Sequence, residues 1–184
     1  MIRLTTHLLA LLLLLAAAGC AATEDTNNHP SPAEASDDAQ IYAAAIREIH
    51  AITPSRGLVY LVTTTEDYTI FDAPTAPSRL ILADLQEAIT AELADEPYQL
   101  IWIEAFDDAS FDPANWRDVE GWTIAEGDGM IITLGNIHPQ DDGSVQLSFF
   151  MTCAQMCGIG KNFVLERYNG VWRVTGSVGP VIAS

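Results

Sequence analysis

Basic side chains are scarce in this chain. Eight lysines and arginines stand against 25 aspartates and glutamates, a formal charge of −17. A surface of that sign repels phosphate, which excludes nucleic acid and anionic lipid headgroups as electrostatic partners. The charge reads first as solubility through mutual repulsion, with cation binding as the alternative. Cysteine is nearly absent, at three residues. Past the first twenty residues there is no long apolar run, so no second segment competes for a membrane. No Gly-x-Ser-x-Gly elbow and no His-x-x-x-His pair occurs. No internal repeat is present, and nothing in the chain amounts to a catalytic signature.

What is present begins at the N-terminus. Arg3 gives a positive start, His7 to Ala18 is an apolar run, and Ala16-Ala17-Ala18-Gly19 leads into Cys20. The run is too short and wrongly flanked for a spanning helix. Residues 1–19 resemble a bacterial lipoprotein signal peptide, which implies cleavage before Cys20 and diacylglyceryl on its thiol. One departure is Ala17, where such signals usually carry leucine. An ordinary secretory signal cut within Ala16-Ala17-Ala18 is the other reading. Ala21, rather than aspartate, follows the cysteine, which points to the outer membrane in a bacterium with two. The expected partner is therefore the lipid bilayer, held by acyl chains at roughly 0.8 kcal/mol per CH₂.

Residues 20–36 are polar and proline-containing and cannot bury enough to offset their ordering. They read as a flexible tether, with a root-mean-square reach of roughly 20 Å and a taut limit of about 55 Å. Residues 37–184 then have the length of one domain with a core of its own. Ile41, Tyr42, Ala45, Ile46 and Ile49 share one face of a helix beginning at Asp37 and ended by Thr53-Pro54. Leu58 to Thr64 is a β-branched, apolar stretch that predicts a central strand covered on both sides. Ser78 is the expected N-cap of a second helix carrying Leu82, Leu85, Ile89 and Leu93. Tyr98 to Ala105 predicts a second buried strand. Strand, helix and strand admit a right-handed parallel unit, with antiparallel pairing through a longer path as the other arrangement.

Phe106 to Met130 is irregular and acid-rich. Beyond it the chain reads as β-structure. Gly129 to Ile137 is one strand, and Pro139 to Gly143 is a turn whose Asp-Gly suits a left-handed position. Val145, Leu147, Phe149 and Met151 then alternate with Gln146, Ser148, Phe150 and Thr152. Asn169-Gly170 separates two further strands and favours a type I′ turn, because both central residues need positive φ. That turn sets Tyr168 opposite Val171, Arg167 opposite Trp172, Glu166 opposite Arg173 and Leu165 opposite Val174. Phe163, Leu165, Trp172 and Val174 should face the core, with Arg167 across Trp172 and a Glu166–Arg173 ion pair outside. The fold class is α+β: two helices on a mixed, largely antiparallel sheet of about six strands, ending in the Asn-Gly hairpin.

Cys153 and Cys157 remain once Cys20 is lipidated. Outside the cytosol a disulfide between them is the leading reading, one helical turn bringing them within reach, with free thiols as the alternative. Two thiols fall short of a structural zinc site. Gly158-Ile159-Gly160-Lys161 fails as a phosphate loop, since Gln155 stands where its first glycine belongs and Asn162 replaces the hydroxyl. Asp107, Asp108 and Asp112 are weak calcium candidates, without Asp-x-Asp-x-Asp-Gly spacing. No other metal and no cofactor is expected. His50 lies at a helix end, and His138 reads as a turn residue with its ring in water.

From Gly129 onward, Ile131 to Ile137, Asp142-Gly143-Ser144-Val145, Phe163 to Arg167 and Gly170-Val171-Trp172-Arg173-Val174 resemble a group of uncharacterised exported bacterial proteins, some lipidated. Those carry a leader, a short helix and a final Gly-x-Trp-x-Val strand. The hairpin is also similar to that of cystatin-like and NTF2-like α+β domains, although here a strand separates the two helices. These are turn and core residues, so the resemblance implies no activity. Two functions compete: a non-catalytic tethered domain binding an envelope protein or small ligand, and an envelope hydrolase using carboxylates of residues 107–128.

Overall fold

Six strands form one sheet in the order β2-β1-β3-β4-β5-β6. The computed structural model describes residues 32–53, 57–68, 76–109, 129–154 and 157–183, with the side chains of 32–36, 153–154, 157 and 182 excepted. The leader, Cys20 and most of the tether lie outside these residues, as do Asp112 and the rest of the acid-rich segment to 128.

Helix α1 spans Pro32–Ile52. It starts ahead of Asp37, so the end of the expected tether is helical. Proline suits a first turn, where its missing N–H would have no helical partner. The apolar stripe does what its spacing requires: Tyr42, Ile46 and Ile49 are buried to 2 % exposure or less. Strand β1 is Leu58–Val62 and strand β2 is Gln99–Ile103, with helix α2, Ala83–Glu92, between them. β1 and β2 pair in parallel, with Tyr60 opposite Ile101. β1 also pairs in parallel with β3, Met130–Pro139, with Tyr60 opposite Ile131. β1 is thus the central strand its composition implies, and Val59, Tyr60 and Leu61 are fully buried on its two faces.

Three expectations need correction here. Ser78 does not cap α2. The N-cap is Leu82, without a side-chain bond, because residues 76–81 are drawn into pairing with the end of β1. Thr65 N–H donates to Arg79 C=O at 2.8 Å, and Ile81 N–H to Thr63 C=O at 2.7 Å. Strand β2 is not buried but half-exposed, since it forms the sheet edge. Pro139 closes β3 rather than opening a turn.

The remaining strands are antiparallel: β4, Val145–Ala154; β5, Cys157–Tyr168; and β6, Val171–Ala183. Gly143 has φ +85°, as the Asp-Gly turn requires. Asn169 and Gly170 have φ +51° and +82°, and all four hairpin pairs fall in the register read from the turn. Phe163 and Leu165 are buried, and Trp172 and Val174 pack on the core. Arg167 lies 6.0 Å from the Trp172 ring centre. Arg173 sets its guanidinium over Tyr168 rather than reaching outward to Glu166. Gly158 to Lys161 are strand residues paired with β4, which leaves no phosphate loop. Ala154 is the partner of Cys157; residues 155 and 156, between the two cysteines, lie outside the described residues.

Both helices cover one face of the sheet. Ile46, Ile49, Ile89 and Leu93 meet Val59, Leu61, Ile132, Leu147 and Phe149 in the main core. Arg47 Nε donates to the Glu96 carboxylate at 2.7 Å and Arg47 Nη2 donates to the Glu92 carbonyl, tying α1 to α2 and the residues after it. The second face carries a smaller cluster, Tyr60, Ile103 and Ile131, with Ala109 against it. Residues 31–184 form one compact unit. No helix among the described residues is long and apolar enough to cross a membrane.

Candidate functional site

The chain leaves β1 at Val62 and stays extended beside β3, with Glu66 N–H donating to Leu134 C=O at 2.8 Å. From here the backbone goes two ways: β1 leads through α2 to β2 on one side, and β3 turns to β4 on the other. A half-enclosed cleft of about 340 Å³ lies at this place, on the face opposite α1 and α2. Val62, Thr64, Glu66 and Tyr68 come from alternate positions of the first segment. Ile131 and Thr133 of β3, and Phe150 and Thr152 of β4, form the floor, and Phe106 stands just past β2. Tyr68 and Phe150 meet with ring centres 5.4 Å apart, inclined at 39°. Burial, followed by the nearby Glu66 carboxylate, pushes the Tyr68 hydroxyl up to about 12, against a hydrogen bond with Thr133.

Behind the cleft is a closed polar network. Asp67 accepts from Asn136 N–H at 2.8 Å on Oδ1. Its Oδ2 accepts from Ala76 N–H at 2.8 Å, Asn136 Nδ2 at 3.1 Å and His138 Nε2 at 2.8 Å. Burial alone would raise this carboxyl, but the hydrogen bonds from Asn136, Ala76 and His138 outweigh it and hold the group below its ordinary value. An ionised carboxylate can only accept, so His138 Nε2 carries the proton. Asn136 Oδ1 accepts from Thr65 Oγ1 and Arg79 Nε, both at 2.9 Å, which fixes the amide orientation. The Tyr42 hydroxyl, raised chiefly by burial, donates to Gly135 C=O at 3.3 Å and joins α1 to the same bulge. Register shifts between Leu134 and Ile137, and this bulge is what turns Asn136 into the network.

The reading of His138 as a water-facing turn residue is therefore overturned. Its side chain is 13 % exposed and that of Asp67 is 4 % exposed. Neither Asp67 nor Asn136 carries a motif. The available signal was Gly135 within a strand, which marks a bulge or a close approach. A β-carbon there would lie 2.1 Å from Ser148 Oγ and 2.8 Å from Asp67 Oδ1. Asp67 and His138 form a carboxylate–imidazole pair, yet four donors already occupy the carboxylate. Among the described residues no serine or threonine hydroxyl bonds the ring. The pair, with the Ala76 and Asn136 bonds, ties Asp67 and Ala76 to β3.

Of the sequence candidates, Asp107 and Asp108 sit in an exposed 3₁₀ turn, Phe106–Asp108, where Asp108 accepts from Ala105 N–H at 2.9 Å. No group of three potential metal ligands occurs among the described residues. His50 stacks against Tyr98 with centres 4.4 Å apart. A second, shallower groove runs along α2 and Trp102. Comparisons with protein-family models, with curated proteins and with solved structures returned no match.

Proposed function

We propose that this chain is a lipid-tethered extracytoplasmic binding domain, without catalytic activity, that takes a small solute in the cleft beyond β1 and β2. Anchorage rests on the leader and Cys20, and the site rests on the cleft. The observation that carries the reading is a concavity of about 340 Å³, in the size range of small-molecule sites, walled by hydroxyls and aromatic rings. Glu66 is the one carboxylate among its described lining residues. Two-carboxylate hydrolysis needs a second; the further acids that the hydrolase reading draws on, Asp112 to Asp128, lie outside the described residues. The polar network behind the cleft supports a preformed site, because it fixes the backbone that presents Glu66 and Tyr68.

Two measurements test this. Intact mass of the native protein should give a diacylglyceryl adduct at Cys20, and an unmodified leader would remove the anchor. A ligand-observed NMR screen of small polar solutes against the full chain should return binders that Thr133→Trp abolishes. A screen without binders, or with binders indifferent to that block, would overturn the cleft.

A further inference from the structure

We propose that the ligand of this cleft is a small organic cation, an amine or quaternary ammonium group; this deepens the binding reading and rests on it. Charge is the first reason. Glu66 is the only carboxylate among the described lining residues, and no lysine, arginine or histidine is among them. An anion would meet a carboxylate and find no countercharge. At longer range the −17 net charge raises the local concentration of cations and lowers that of anions.

The rings are the second reason. Tyr68 and Phe150 make a corner, and Phe106 stands at the same cleft with 43 % of its surface in water. An aromatic face is electron-rich and attracts a cation, most strongly where water is partly excluded. Aliphatic side chains would line an apolar pocket equally well but offer no such attraction. The hydroxyls of Thr64 and Thr152 add acceptors that an ammonium N–H can use. A neutral sugar would engage rings and hydroxyls but gain little from Glu66.

The test uses the full chain in detergent, with choline as the probe and its uncharged isostere, tert-butyl in place of trimethylammonium, as the control. Choline should bind at least about tenfold more tightly than the isostere. Glu66→Gln should weaken choline several-fold and leave the isostere unchanged. Phe150→Leu should weaken choline more than the isostere. Unchanged melting of both variants shows that they fold. Equal binding of choline and isostere, or binding of a neutral saccharide alone, overturns the cation while leaving the binding site intact. No binding by any solute, with wild-type melting normal, overturns both readings.

Discussion

His138 Nε2 donates to Asp67 Oδ2 at 2.8 Å, joining residues 71 positions apart. The bond crosses from the segment after β1 to the end of β3, beside the cleft. With Asn136 and Ala76 it gives the carboxylate four donors, three on Oδ2 and one on Oδ1.

Asp67→Asn should therefore destabilise by about 2–4 kcal/mol, because an amide NH₂ would face donors in a buried site. Urea unfolding at neutral pH measures this. A cost under half a kcal/mol would show that the network carries little.

The same carboxylate sets an acid limb. Its folded pKa lies below its unfolded one. Its stabilisation is thus complete above the unfolded value, about 4, and is lost as pH falls through the folded value. Wild type should lose stability over that window more steeply than Asp67→Asn. Parallel curves of stability against pH would contradict the assignment.

Gly135 and Ser148 should couple. Gly135→Ala alone should cost about 1–3 kcal/mol through overpacking. Ser148 Oγ is buried without a partner among the described residues, so Ser148→Ala should be neutral or stabilising. In the double variant the closest clash disappears, but Asp67 Oδ1 at 2.8 Å and Ser148 C=O at 3.0 Å remain. The cost should fall without vanishing. Strict additivity in a double-mutant cycle would refute the contact.

Gly170→Ala isolates backbone conformation. Nothing lies within 4 Å of the added carbon, yet φ is +82°. The expected loss is about 1–2 kcal/mol. Asp37→Asn provides the contrast. Asp37 takes two bonds from Arg167, at 3.0 and 3.2 Å, but both side chains are well exposed. That change should cost under about 1 kcal/mol and fade with added salt.

What the residues disclosed in advance was local. Asn169-Gly170 fixed its own φ angles, and with them four cross-strand pairs. Alternation in Val145 to Met151 placed the core face of β4. The stripe in α1 places its buried side, although the helix starts ahead of Asp37, because Pro32 serves a first turn as well as it serves a tether. The failures share a cause. Ser78 has the chemistry of a cap, but Arg79 and Ile81 are claimed by Thr65 and Thr63, which no local preference reveals. His138 sits beside a proline and looked solvated, while its partner lies 71 positions away. The cleft is assembled from five separate segments, and each reads as ordinary strand or loop.

Methyl-resolved NMR during a choline titration addresses the cleft most directly. The account predicts shifts at Val62, Ile131, Thr133 and Thr152, with Leu85 and Ile89 on the helical face unmoved. Shifts spread over both faces, or confined to the α2 groove, would contradict it.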